Sequence, residues 1–283
     1  MLGLGTGINK LSAAEAASIS ARNAGSYLLD DYSGAAAAYS LRQLSSTYSG
    51  SSVKVRRASD NVEADIGFAS GELDTAALAS HCGASDGFVS VWYDQANSNN
   101  ATQATAAAQP KIYDGTTGVV TENGKPAVKF DGVNDVLTRT IPNNQVAAMT
   151  AFSVHRITAN KGYIYGWFNS SSGSANVISY EGTPAKYRFG WAASLIGIDT
   201  GSQLLFTGRQ DGTSGLMNIN GVSQGSFNVD ASRYWDNAFS IGKTIWGPSP
   251  EINISEYVMY YTAQTNGNIS DIEDNINTFY SIY

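Results

Sequence analysis

The carboxylate side chains of this 283-residue chain are candidates for catalysis, and their spacing indicates whether two of them could act on one bond. Two carboxyl groups that flank one bond can hydrolyse a glycosidic linkage, one as proton donor and the other as nucleophile or base. Glu251 and Glu256 lie five residues apart in a segment with strand-like alternation, so their side chains point to opposite faces. The spacing therefore predicts no catalytic pair on that strand.

Metal-ligating side chains are sparse. His81 and His155 have no cysteine or glutamate at ligand spacing, and we predict no bound metal and no cofactor. Asp131, Asn134 and Asp135 offer oxygen ligands for Ca²⁺, but the same residues also suit a solvated turn with local hydrogen bonds. Of these two interpretations, the sequence favours the turn.

The surface is predicted to be polar but weakly charged. Charged residues make up 14% of the chain, against roughly 25% in soluble domains. The balance is acidic, with 17 Lys and Arg against 24 Asp and Glu, whereas nucleic acid is bound by a basic face. We therefore predict no nucleic-acid partner and a surface of hydroxyl and amide groups that can hydrogen-bond sugars.

The chain has features of a protein that folds in a reducing cytoplasm. Its single cysteine, Cys82, cannot form an intrachain disulfide. Residues 1–9 lack the charged and apolar regions of a signal peptide, and no apolar run is long enough to cross a bilayer. We expect no membrane insertion.

Strand patterns dominate from Gly34 onward, and they predict one β domain over residues 34–283 with an N-terminal arm at residues 1–33. The Asn220-Gly221 pair predicts a two-residue hairpin turn. Near the C-terminus, Ile252, Ile254, Val258 and Tyr260 are predicted to alternate inward.

A single amphipathic helix is predicted to close the chain. Ser270 and Glu273 have the spacing of a capping box, which would start the helix at Ser270. Apolar side chains recur at helical spacing through this segment, namely Ile269, Ile272, Ile276, Phe279 and Tyr283.

Several short motifs resemble one family. An apolar run at residues 91–93 leads into Asp94-Gln95 and an Asn-rich turn, and residues 38–42 and 55–61 precede it. This pattern resembles the N-terminal β-sandwich of the α-L-arabinofuranosidase B family and its non-catalytic relatives among bacteriophage structural proteins. The segment at residues 123–135 is similar to the entry strand of concanavalin-A-like sandwiches. The resemblance implies an all-β fold, a two-sheet antiparallel jelly-roll sandwich.

The resemblance also indicates where the family's catalytic carboxylates would stand. Its acid matches residues 240–247, where this chain has Lys243 and Thr244. Its nucleophile matches residues 187–200, where Asp199 is the acidic residue and suits a turn, while Glu181 is a displaced candidate. Because neither matching segment keeps the family's catalytic carboxylate, we predict no catalytic residues and no enzymatic activity.

Four residues are candidate contacts for a carbohydrate. Trp235 and Trp246 lie in loop-like surroundings, and an aromatic face can pack on the C–H face of a sugar ring. Asp94 and Gln95 could bind a sugar, although they could equally hold the following turn through hydrogen bonds.

These observations lead to one functional prediction. The resemblance implies a bacteriophage virion protein, a capsid-surface decoration, head fibre or tail appendage, at the virion surface. Residues 1–33 would bind other virion proteins, and a lectin-like sandwich, part of a homo-oligomer, would contact host glycans. The alternative is an arabinofuranosidase-like glycoside hydrolase.

Overall fold

The structure, a computed structural model, describes residues 27–140, 148–159, 162–168, 177–181, 186–190, 201–229, 238–243 and 248–283. In these residues the chain forms 22 strands, numbered β1 to β22 along the sequence, and three α-helices. The helices are α1 (Leu28–Asp31), α2 (Thr75–Cys82) and α3 (Asn266–Tyr280), and a short 3-10 turn spans Ala106–Ala108. All strand pairings among them are antiparallel.

Sheet A is the first layer of a sandwich and is built around its two longest strands. Its strands are, in spatial order, β20 (Val222–Asn228), β19 (Ser214–Ile219), β18 (Leu204–Asp211), β14 (Ala148–Ala159) and β22 (Glu251–Tyr260). The far side of β22 is shared by two shorter strands, β12 (Val128–Asp131) and β1 (Ala37–Ser40).

Sheet B is the second layer. Its strands are, in spatial order, β3 (Glu63–Ile66), β2 (Val53–Arg57), β6 (Gly87–Trp92), β7 (Ala101–Thr102), β13 (Leu137–Arg139), β21 (Ala238–Ile241), β15 (Gly162–Phe168), β16 (Val177–Glu181) and β17 (Lys186–Phe189).

One strand joins the two layers. Strand β8 (Lys111–Asp114) pairs with β12 of sheet A and with β6 of sheet B. The remaining strands are β9 (Gly118–Val119), which pairs with β8, and the hairpins β4 (Phe68–Ala69) with β5 (Glu72–Leu73) and β10 (Thr121–Glu122) with β11 (Lys125–Pro126). The sandwich is therefore continuous along one side.

Aromatic side chains fill the space between the layers. Tyr165 of β15 stacks on Tyr257 of β22 with ring centroids 4.2 Å apart, and Phe239 of β21 lies 5.3 Å from the same ring. At another part of the interface, Tyr39 of β1 contacts Trp92 of β6. These rings are fully buried, and such aromatic pairs add stability beyond the area they bury. The predicted all-β antiparallel sandwich is confirmed.

The outer face of sheet A is also covered. Ile269, Ile272 and Ile276 of α3 pack against Phe152 and Val258. The predicted closing helix exists, but it begins earlier, at Asn266, because the Thr265 hydroxyl accepts a hydrogen bond from the Asn268 N–H. Glu273 is therefore no capping residue. It is buried, and it accepts a hydrogen bond from the Asn218 side chain.

A bulge corrects the predicted alternation of the last strand. His155 of β14 pairs with Ile254, but the preceding Val154 pairs with Glu256, so Ser255 is an extra residue. Ile252 and Ile254 face sheet B, whereas Val258 and Tyr260 face α3. Sheet A is covered on both faces, so β22 has apolar residues on both of its faces. The sequence pattern therefore does not reveal that the side facing sheet B changes at the bulge.

The N-terminal region is described only from residue 27. Leu28 is fully buried against the outer face of sheet A, and the Tyr260 hydroxyl donates to the Tyr32 carbonyl. Residues 27–33 thus pack on the sandwich, while residues 1–26 lie outside the described residues. The division at residue 34, the arm and the jelly-roll topology stay predictions. No helix in the described part of the chain is long and apolar enough to cross a bilayer.

Gly242, just after β21, is held where a side chain does not fit. Its φ is +86°, and an added Cβ would overlap the Phe130 ring. Gly118 has a similar φ of +91° but open space around it. We expect Gly242→Ala to lower the free energy of unfolding by about 3 kcal/mol and Gly118→Ala by about 1 kcal/mol, as measured by denaturant titration. Equal losses would mean that backbone conformation alone matters at Gly242.

Candidate active site

One end of sheet B brings together the strand ends that carry polar residues. Leu137 at the start of β13 pairs with Ile241 at the end of β21. Ile241 also pairs with Tyr165 of β15, and Gly162 at the start of β15 pairs with Tyr180 near the end of β16. We call this end the rim. It consists of residues 131–136, 162–163, 180–181 and 242–243.

An acidic turn forms one side of the rim. The Asp131 carboxylate accepts hydrogen bonds from the backbone N–H groups of Val133 (2.8 Å), Asn134 (3.2 Å) and Asp135 (3.4 Å). The Asp135 carboxylate in turn accepts one from the Asp131 N–H at 2.9 Å. Gly132 between them has a φ of +74°, and an added Cβ would lie 2.8 Å from the Glu251 nitrogen. The turn is thus fixed by its own backbone and pressed against β22.

Asp135 has the electrostatics of a proton donor. Its residue is 7% exposed, and burial raises the pKa of its carboxyl to about 7, with the nearby Asp131 charge adding to the rise. The hydrogen bond from the Asp131 N–H opposes the rise. A carboxyl group with a pKa near 7 still holds its proton at mildly acidic pH, as a general acid must.

Two lysine side chains form polar contacts in or next to the turn. Lys243 lies in the segment where the resemblance places the family's acid, and its Nζ donates to the Val133 carbonyl at 3.0 Å. Lys129 forms an ion pair with Glu251 at 2.9 Å. The described rim therefore has a cation at the matching position and a protonatable carboxyl, Asp135, on the neighbouring strand entry.

Glu181 is a third acidic residue whose backbone lies at the rim. Its backbone pairs with that of Lys186 at the end of β16, next to Tyr180, the partner of Gly162. The Glu181 side chain lies outside the described residues, as do Thr244 and Asp199, so the predicted loss of both catalytic carboxylates is untested. In the described residues, no three His, Cys, Asp or Glu side chains cluster as metal ligands would.

Asp94 and Gln95 hold chain segments together. Asp94 is 2% exposed and accepts hydrogen bonds from the N–H groups of Ala38 (2.8 Å), Ala96 (3.0 Å) and Asn99 (3.1 Å). The Gln95 amide accepts from Leu44 and donates to the carbonyls of residues 40 and 42. These hydrogen bonds agree with the interpretation that Asp94 and Gln95 hold the following turn. Their contact with a carbohydrate stays a prediction, as does that of Trp235 and Trp246, which lie outside the described residues.

A buried serine and histidine pair does not form a second active site. The Ser153 hydroxyl lies 2.8 Å from His155 Nδ1 and 2.8 Å from the Tyr165 hydroxyl, and His155 Nε2 lies 3.0 Å from the Tyr187 hydroxyl. Burial lowers the pKa of His155 to about 3, so the ring is neutral at all ordinary pH values. All four residues are fully buried, which leaves no room for a substrate.

Asp135 is the residue that sequence reasoning missed. We considered it only as a turn residue or a calcium ligand. The available signal was its position directly before the apolar pair Val136 and Leu137, of which Leu137 is fully buried at the start of β13. The pattern gave no indication that burial would shift its pKa.

The fold and the rim define an antiparallel β-sandwich with an acidic turn at one end. Comparison with known proteins indicates which class of protein has a similar fold. A family model described as the catalytic domain of α-L-arabinofuranosidase B matches residues 30–141, which include the acidic turn. No curated protein matches the chain.

Solved structures of arabinofuranosidases share the fold. An arabinofuranosidase complexed with arabinofuranosyl-α-1,2-xylobiose is 17% identical with a TM-score of 0.70, over 89% of this chain and 64% of that one. A GH54 α-L-arabinofuranosidase soaked with a cyclic sulfate inhibitor is also 17% identical, with a TM-score of 0.71 and the same coverage. The chain therefore spans 64% of the length of either of these structures.

The family model corrects our functional prediction. We predicted a bacteriophage virion protein, a capsid decoration, head fibre or tail appendage, without enzymatic activity. That prediction is wrong, because the matching model describes a catalytic domain and the similar structures are glycoside hydrolases. The predicted virion partners of residues 1–33 and the virion location depended on it and are not carried further.

Proposed function

We propose that the chain is a glycoside hydrolase that acts on α-L-arabinofuranosides. The observation that carries the proposal is the match of residues 30–141 to a model of the α-L-arabinofuranosidase B catalytic domain. The substrate class follows from similar structures, one complexed with arabinofuranosyl-α-1,2-xylobiose and a mutant soaked with 4-nitrophenyl α-L-arabinofuranoside. The jelly-roll topology of that family is part of the proposal.

The proposed proton donor is Asp135. Hydrolysis needs an acid that protonates the leaving oxygen, and Asp135 is the carboxyl group of the acidic turn whose pKa is raised to about 7. Its turn is held by Lys243 and by the backbone, so the carboxyl group is positioned before substrate binds. A weakly exposed acid must be held in position in this way to transfer its proton to the leaving oxygen.

The proposed second carboxylate is Glu181. Between Asp135 and Glu181 lie strands β21 and β15, so three interstrand spacings separate their backbones. At about 4.8 Å per spacing this amounts to roughly 14 Å. A glycosidic bond cleaved by both residues would have to lie within this span.

Turnover of an aryl α-L-arabinofuranoside by the purified chain tests the proposal. We expect hydrolysis by the wild-type chain, and we expect Glu181→Gln to lower kcat by at least about 10²-fold because the amide cannot act as nucleophile or base. Glu63→Gln is the matched control, since Glu63 is exposed on β3 at the opposite edge of sheet B. We expect its activity to be unchanged.

The controls separate a failed site from a failed function. A folded wild-type chain that releases no aryl group between about pH 4 and pH 7, the range over which Asp135 would hold its proton, would contradict the proposed function. Turnover that survives Glu181→Gln would keep the function and reject Glu181. Homo-oligomerisation stays a prediction, to be tested by sedimentation.

A further inference from the structure

A groove of about 600 Å³ lies beside the acidic turn, on the outside of the sandwich. Lys111 of β8 and Lys129 of β12 are directly paired across the sheet and both line it. Their neighbours Ile112 and Phe130 are fully buried in the core, so alternation places the two lysines on the outer face. The groove is thus separate from the interior of the sandwich.

Both lysines that line the groove are already paired with carboxylates. Lys111 forms ion pairs with Asp86 (2.7 Å) and Asp114 (3.1 Å), and Lys129 forms one with Glu251 (2.9 Å). The N–H of Thr116 and the ammonium of Lys111 lower the pKa of Asp114 to about 2. An anionic ligand would have to compete with these carboxylates for the lysines. A neutral ligand would not.

The groove offers both hydrogen-bonding and apolar contacts. Asp114 and Asp131 can accept hydrogen bonds from hydroxyl groups, the two lysines can donate them, and Val119 presents methyl groups beside them. A sugar ring has this combination of hydroxyl edges and C–H faces. The volume lies within the roughly 300–1,000 Å³ typical of small-molecule sites and is large enough for an oligosaccharide.

One end of the groove reaches the proposed active site. Asp131 lines the groove, and the same carboxylate holds the N–H groups of the turn that carries Asp135. A chain of sugars lying in the groove would therefore approach the rim from the outside of β12.

We infer that this groove binds a neutral oligosaccharide, the backbone of the polysaccharide whose arabinofuranosyl branch is cleaved at the rim. The assignment of the ligand as a substrate backbone rests on the proposed function. The groove acts as an accessory site that raises affinity for polymeric substrate and leaves small aryl glycosides unaffected, because these are too short to reach it.

Thr117→Arg tests the groove in the full chain. Thr117 is exposed in the turn between β8 and β9, and an arginine there would fill the groove. Thr213→Arg is the matched control, since Thr213 is an exposed turn residue between β18 and β19 of sheet A. Binding of xylotriose, measured by calorimetry, and turnover of an aryl α-L-arabinofuranoside are compared for the three proteins.

We expect Thr117→Arg to weaken xylotriose binding by at least about tenfold, with aryl turnover unchanged, and Thr213→Arg to change neither. No xylotriose binding by the wild-type chain, or equal binding by wild type and Thr117→Arg, would overturn the inference. Xylotriose binding that Thr117→Arg removes, in a chain without aryl turnover, would support the groove as a sugar site and reject the proposed function.

Discussion

Asp135→Asn is expected to lower kcat for an aryl α-L-arabinofuranoside by about 10²- to 10⁴-fold, the usual contribution of a positioned general acid. The amide has the size of the carboxyl group but no acidic proton to give to the leaving oxygen. In the wild-type chain, activity is expected to fall as the pH rises above about 7, because Asp135 then loses its proton. A pH profile of kcat with phenyl arabinofuranoside, whose leaving group needs a proton, measures both effects.

The choice of leaving group distinguishes a catalytic role of Asp135 from a structural one. A 2,4-dinitrophenyl group leaves readily without protonation. We therefore expect Asp135→Asn to slow hydrolysis of the 2,4-dinitrophenyl arabinofuranoside much less than hydrolysis of an arabinofuranoside with a poorer leaving group. Equal losses for both substrates would show that Asp135 acts only by holding the turn. Asp211→Asn, at an exposed position at the end of β18, is the control and is expected to leave both rates unchanged.

The same raised pKa affects stability. Asp135 binds its proton up to about pH 7 in the folded chain, against 3.8 as the ordinary value. The folded state therefore holds more protons than the unfolded state between these values, and the free energy of unfolding falls as the pH rises through that range. The contribution is roughly 4 kcal/mol or less. In Asp135→Asn, this part of the pH dependence is expected to disappear.

Arg42→Met is expected to lower the free energy of unfolding by about 3–5 kcal/mol, because it leaves a buried carboxylate without its cation. The Arg42 guanidinium binds both oxygens of Glu256, with Nε at 2.7 Å and Nη2 at 3.0 Å. The side chains are 7% and 1% exposed. Glu256 also accepts hydrogen bonds from the hydroxyls of Ser40 (2.8 Å) and Tyr280 (3.2 Å), so the network joins β1, β22 and α3.

Two further variants isolate the buried charge. Removing both partners in Arg42→Met with Glu256→Met is expected to cost less than Arg42→Met alone, since no unpaired charge remains. Lys54→Met is the exposed control. Lys54 lies 3.9 Å from Asp65 with both side chains partly in solvent, so its loss is expected to cost less than about 1 kcal/mol. Denaturant unfolding compares all three, and a loss below about 1 kcal/mol for Arg42→Met would contradict the assigned role.

Local chemistry made several elements predictable. Asn220 and Gly221 both have positive φ values, 52° and 71°, and they form the predicted turn between β19 and β20. The closing helix followed from its apolar period, and Ile269, Ile272 and Ile276 are buried as that period requires. These features depend on residues that are close in sequence, so the pattern contains the information that they need.

Features that depend on distant residues were not predictable in the same way. The bulge at Ser255 changes which side of β22 faces sheet B, and it is defined by pairing with β14, about a hundred residues earlier. The start of α3 is a different case, because its Thr265 cap is local and the capping-box interpretation at Ser270 overlooked it. The burial of Glu273, however, depends on the distant Asn218 of β19. Neither the capping-box spacing nor the strand alternation carries these contacts.

The amino-acid order alone determined the layered β architecture and the likeness to arabinofuranosidases, because turn residues, alternation and short motifs are local properties. Only the folded chain decided that Lys243, after β21, holds the turn that carries Asp135. In the sequence, the segment after β21 that matches the position of the family's acid contains a lysine, Lys243. Antiparallel pairing brings the entry of β13 to that place from about a hundred residues away, and burial there sets the pKa of its carboxyl group.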